Sequence, residues 1–244
     1  MNKIIRRVLR PHSENHWGAC EYVLDPEYAK DRNELIHSYH LIENDFKKLF
    51  DYIHFDERNK NIFSHRIYEL ILRSCTEFES NCKAILKANN YRSGRLNITD
   101  YFKINKSSNL NKYKVKLNLW YPEPKIIVPC KNWYSSDFQK LDWYDSYNQV
   151  KHDRNINFEK ANLETLLESI SGLLVILYSQ FGDCTFFPYN DSPMMFAGTE
   201  YRNSPEGLFS ISRPNVWNEN QYYNLNWNDL KDLNIESKFE IYSY

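Results

Sequence analysis

Phe158–Phe181 reads F-E-K-A-N-L-E-T-L-L-E-S-I-S-G-L-L-V-I-L-Y-S-Q-F. Leu163, Leu166, Leu167, Ile170, Leu173, Leu174, Leu177 and Phe181 recur at three- and four-residue steps, and the resulting helical face is wide enough to be buried on most sides. Such a helix needs partners, and two earlier segments supply them. From Asn33 to about Phe55, apolar residues fall at Leu35, Tyr39, Ile42, Phe46, Leu49, Phe50 and Ile53. From Asn61 to Asn89 the stripe runs through Phe63, Ile67, Leu70, Ile71, Cys75, Phe78, Cys82, Ile85 and Leu86. Glu69, Arg73 and Glu77 stand four residues apart on its polar side, where they read as a solvated face. Three helices sharing a core predict a mainly α fold.

Between the second and third helices the texture changes. Tyr113–Trp120, Y-K-V-K-L-N-L-W, alternates Val115, Leu117 and Leu119 with Lys114, Lys116 and Asn118, the period of a half-buried strand. Pro122, Pro124 and Pro129 then bracket K-I-I-V, a second short extended piece. After Gly182 the pattern becomes irregular, with strand-like fragments at Gly207–Ser212 and Phe239–Tyr244 and a short helix near Asn226–Leu233. The expected organisation is a helical domain over 1–182, carrying a β-like insertion at about 91–136, and an irregular, aromatic-rich extension over 183–244. That extension should pack back through Trp217, Tyr222, Tyr223 and Trp227.

The net charge of −1 gives no global basic field, so any RNA site must be local. Aromatics at 16% argue for a folded chain, and only 6 glycines argue against a glycine-rich nucleotide fold. Cys20, Cys75, Cys82, Cys130 and Cys184 are odd in number and form no C-x-x-C pair, which points away from a disulfide framework and toward a reducing compartment. The basic start M-N-K-I-I-R-R-V-L-R-P lacks the apolar run of a signal peptide. The apolar run L-L-V-I-L-Y is too short to span a bilayer, so a soluble, cytoplasmic protein is expected.

The chemistry concentrates in Asp145–Asn155, D-S-Y-N-Q-V-K-H-D-R-N. If residues Asp137 to Arg154 form a helix capped near Ser136 or Asp137, then Trp143, Tyr147, Val150 and the Arg154 stem share one side, at about 100° per residue. Asn148 and His152 lie opposite. The apolar stripe of the following helix is out of phase by nearly half a turn, so a break is expected near Asn155–Asn157. Asn148 and His152 would then stand at a helix end beside a joint, where they can face a ligand or a partner.

These residues resemble the HEPN superfamily, all-helical domains of bacterial defence and toxin ribonucleases that usually dimerise. The family motif is an Arg, commonly followed by a polar residue such as Asn, then a His a few residues on. Y-N-Q-V-K-H aligns Asn148 with the polar residue and His152 with the histidine, but Tyr147 stands where the Arg is expected. The resemblance covers about Asn33–Asn89 and Asp137–Phe181. It implies metal-independent RNA cleavage at a homodimer interface, without a cofactor. The His would assist proton transfer at the 2′-oxygen or the leaving oxygen, for which an imidazole is suited near neutrality. A cation would offset charge on the phosphate. Lys151 and Arg154 are the local replacements for the missing Arg, and Arg73 is a candidate across the bundle. The expected phosphate-facing patch is therefore Asn148, Lys151, His152 and Arg154.

Two other readings stay open: a solvated helix end, since K-H-D-R is also what the helix dipole favours at a C-terminus, and a site that binds without cleaving. His12, His16 and Cys20 stand at i, i+4 and i+8, a metal-ligand spacing, but Pro11 and Gly18 oppose the helix this needs, and no metal is expected. His37, His40, His54 and His65 read as partnerless surface residues. The rival function is a non-catalytic scaffold that binds a protein partner through its aromatic tail. No nucleotide-binding P-loop, Rossmann, zincin or hydrolase motif occurs.

Overall fold

The computed structural model describes residues 3–12, 20–134, 136–186, 201–204 and 206–244. Four main helices make the core. Helix α1 (Arg32–Lys47) runs into a 3-10 turn at Lys48–Asp51, short of the expected helix to Phe55. Helix α2 (His65–Ala88) starts later than its stripe because Ser64 is extended and its hydroxyl accepts from the Ile67 amide at 3.2 Å. Two short helices follow, α3 (Ile98–Phe102), capped reciprocally by Asn97 and Asp100, and α4 (Ile104–Ser108). Then come α5 (Asp142–His152), the single turn α6 (Arg154–Asn157), and α7 (Leu163–Phe181), which Asn162 caps by accepting from the Thr165 amide at 3.0 Å. Near the end lies α8 (Ile235–Lys238).

Helix α7 is the centre of the bundle. It packs most extensively on α2 and also against α5 and α1, so its leucines are fully buried. Leu163–Thr185 is in fact long and apolar enough to cross a membrane, because Leu163, Leu166, Leu167 and Ile170 extend the short L-L-V-I-L-Y run. Within this fold 94% of its apolar window is buried by the rest of the chain. Close approach of α5 to α7 requires Gly172, where a Cβ would stand 2.9 Å from the Trp143 ring.

The β structure joins distant parts of the sequence. Strands β1 (Ile4–Ile5) and β6 (Phe239–Glu240) form a parallel pair that ties the two ends together. The other four, β2 (Lys114–Leu117), β3 (Lys125–Ile127), β4 (Arg202–Asn203) and β5 (Phe209–Ser212), form an antiparallel sheet in the order β3-β2-β5-β4. Val115 lies between Ile127 and Ile211, so the tail strand β5 is hydrogen-bonded directly to the insertion. Val115 and Leu117 are buried as their alternation requires, but Leu119 is 56% exposed. The strand ends at Leu117, and Asn118 turns the chain by binding the Leu208 and Gly207 carbonyls.

The tail supplies core. Tyr223 and Trp227 are buried, and Trp217 and Tyr222 are half-buried. The Tyr223 hydroxyl accepts from the Ile5 amide at 3.0 Å and donates to the Val8 carbonyl at 2.9 Å. Arg10 is buried between the rings of Tyr223 and Tyr242 and donates to the Ser107 carbonyl.

All five cysteines are buried and free. Three of the four scattered histidines have partners after all. His40 lies 3.4 Å from the Thr185 carbonyl, His54 packs on the Tyr121 ring, and His65 packs on Phe158.

Candidate functional site

The C-terminal half of α5 forms one wall of a cleft of about 470 Å³. Helix α5 starts at Asp142, later than Ser136 or Asp137, because Leu141 is extended and Asp142 and Asp145 supply the first-turn acids that a helix N-terminus favours. Its inner side carries Trp143, Tyr147 and Val150, all buried, and Trp143 donates to the Pro129 carbonyl at 2.8 Å. Asn148 and His152 point the other way, as the helical phase predicts, and both line the cleft with Lys151.

The expected break falls at Asp153, two residues before Asn155. Asp153 leaves helical geometry and its carboxylate accepts from the Ile156 amide, which starts α6. This joint turns Arg154 away from the cleft, and its guanidinium stands 5.6 Å over the Tyr68 ring. Arg154 is therefore separated from the other three candidates. Arg73 is separated too. It pairs with Asp45 at 2.5 Å and lines a different groove, between α1 and α2. Six residues of helix put it about 240° around α2 from Glu79.

The opposite wall is built by α2. Glu79, Lys83 and Lys87 follow one another at four-residue steps, and the segment Tyr91–Ile98 closes the third side with Arg95. The charge balance is local and cationic: among the described residues, Lys83, Lys87, Arg95 and Lys151 face a single acid, Glu79. The Glu79 carboxylate accepts from the Tyr144 hydroxyl at 2.9 Å and pairs with Lys83 at 3.1 Å. Burial and the Glu79 charge push the Tyr144, Tyr147 and Tyr101 hydroxyls upward, so all three stay protonated donors at neutral pH.

Tyr147, at the position expected to be Arg, is 1% exposed and does not reach the cleft. Its hydroxyl accepts from the Lys151 ammonium at 2.8 Å, and Lys151 also stands 4.9 Å over its ring. The cation at this end of the cleft is thus carried one turn later and seated on the tyrosine.

Glu79, Lys83, Lys87, Arg95 and Tyr144 were missed in the sequence. The four-residue spacing of Glu79, Lys83 and Lys87 was legible, but it lies on a face of α2 distinct from the Glu69–Arg73–Glu77 row. Nothing local distinguishes a solvated row from one that faces a cleft.

Among the described residues no three His, Cys, Asp or Glu side chains are grouped to hold a metal ion. His12 packs edge-on to Tyr223, Cys20 is buried with its thiol pushed up to about 12 by burial, and His16 lies outside the described residues.

Comparison of the chain with protein-family models, with curated proteins and with solved structures gives no match.

Proposed function

We propose that the cleft binds RNA and that His152 assists its metal-independent cleavage, the activity implied by the HEPN resemblance. The observation that carries this reading is the meeting of Asn148, Lys151 and His152 with Lys83, Lys87 and Arg95 around one cavity. Separately solvated side chains would have opposed it. In the proposed reaction a 2′-oxygen attacks the adjacent phosphorus and the 5′-oxygen of the next nucleotide leaves. His152 moves a proton at one of these oxygens, and Lys151 offsets charge on the phosphate. Asn148 positions the phosphate or ribose by hydrogen bonding. Completion of the site by a second copy of the chain belongs to the same proposal.

A binding-only role has its own support. Lys151 is already hydrogen-bonded to Tyr147, and an ammonium cannot supply the planar two-pronged donor that an Arg offers to phosphate. The deciding experiment is cleavage of several RNAs in EDTA by wild type and His152→Ala, matched for circular dichroism and oligomeric state. Cleavage by wild type alone supports the catalytic reading. Binding without cleavage by either protein supports the second.

A further inference from the structure

Resting on the RNA-binding reading, we infer that the cleft takes one unpaired nucleotide and selects guanine, with Glu79 reading the base edge. The argument starts from how charge is placed. Glu79 is the one acid among the described residues that line the cleft, and its side chain is only 15% exposed. Lys87, Arg95 and Lys151 stand at exposed positions around it. A phosphate is repelled by the carboxylate and attracted to those outer cations, so phosphates belong at the rim and the base belongs inside. The inner wall suits a base, since Tyr101 and Tyr144 are largely buried and Tyr91 is half-buried beside them.

The base edge must then complement a carboxylate. An ionised carboxylate offers about four lone-pair sites and no donor; Tyr144 and Lys83 each engage one, and the Tyr147 hydroxyl bears on the carboxylate from the buried side. Guanine presents adjacent N1–H and N2–H donors to the remaining acceptor positions. Adenine and cytosine place a ring-nitrogen acceptor beside their amino group, and uracil flanks its single N–H with two carbonyls, so each sets an acceptor against the carboxylate. In a duplex this edge is turned to the opposite strand, which leaves only an unpaired guanine able to use it. A volume of about 470 Å³ falls in the range that holds one ligand of nucleotide size.

The test is fluorescence anisotropy with single-stranded uridine oligomers that carry one central G, A, C or U. Every 2′-hydroxyl is replaced by fluorine so that cleavage cannot proceed. The central-G oligomer is expected to bind wild type about tenfold more tightly than the other three, the usual worth of a two-point base contact. Annealing it to its complement should abolish that advantage. Equal binding of the four oligomers overturns the inference and leaves RNA binding intact, as does a preference that survives Glu79→Gln or duplex formation. Failure to bind any oligomer overturns both readings. The wild-type series decides the base preference even where the variant does not fold.

Discussion

The Lys151 ammonium and the Tyr147 hydroxyl are 2.8 Å apart, one helical turn from each other on α5, with Tyr147 inside the core and Lys151 in the cleft. This contact joins the bundle to the site. It also explains why an Arg cannot simply be restored at position 147. Tyr147→Arg would bury a guanidinium beside the Lys151 ammonium, with the one nearby carboxylate, Glu79, already engaged by Lys83 and Tyr144, and is expected to destabilise the fold by about 3 kcal/mol. Tyr147→Phe removes only the hydroxyl and should cost about 1 kcal/mol. Urea denaturation of the two variants checks the ranking, and equal midpoints would refute the buried placement of this side chain.

Cations inside and outside the cleft should separate in their effect on RNA binding. Lys87→Ala, Arg95→Ala and Lys151→Ala are each expected to weaken binding and lower the salt dependence by about one phosphate contact. Arg154→Ala and Arg73→Ala should leave binding within about twofold, because their partners are Tyr68 and Asp45. Binding isotherms at three salt concentrations make the comparison.

Gly172→Ala sets two effects against each other. Alanine favours helix by about 1 kcal/mol over glycine, but its Cβ would stand 2.9 Å from a Trp143 ring anchored through Pro129. Overpacking a well-filled core costs about 1–3 kcal/mol. The ring has little room to retreat, so we expect net destabilisation and a displaced α5, read as a lower unfolding midpoint together with weaker RNA binding.

A pH dependence should come from Glu43, which lies far in sequence from the cleft residues. It is fully buried and accepts from the Ser204 hydroxyl through one oxygen. Burial is the main cause that raises its carboxyl to about 7, opposed by the Ser204 contact, the Glu206 backbone amide and Lys47, with the Glu206 charge adding to the rise. The folded state therefore favours the protonated form. This contribution is fully present below about 4.5 and is lost as pH rises through about 7, a change of about 3 kcal/mol. Glu43→Gln should accordingly stabilise the protein at pH 8 and have little effect at pH 4.5. Thermal denaturation at the two pH values reads the difference, and an equal effect at both would refute it.

The aromatic tail is expected to respond as core. Trp227→Ala should cost about 3–5 kcal/mol, since Trp227 is 7% exposed and packs against Tyr22 and Phe239. Calorimetry checks this, and a fully stable variant would return the tail to the role of a docking surface.

Local pattern was enough to determine the mainly helical architecture, the apolar stripes of α2 and α7, and the outward phase of Asn148 and His152 against the inward phase of Trp143, Tyr147 and Val150. Helical and strand periodicities are properties of neighbouring residues, so they survive without knowledge of the fold. Helix starts were less legible, because apolar periodicity does not show which polar residue takes the cap, as the Ser64 and Asn162 side chains do, and Leu141 starts α5 through an extended backbone with no side-chain cap. Only the tertiary structure decided that β5 of the tail is paired with β2, that Arg154 and Arg73 leave the site, and that Glu79, Lys83, Lys87 and Arg95 enter it. Those outcomes depend on how α2 and the Tyr91–Ile98 segment are packed against α5, and residues far apart in the chain become neighbours only when the core between them is filled.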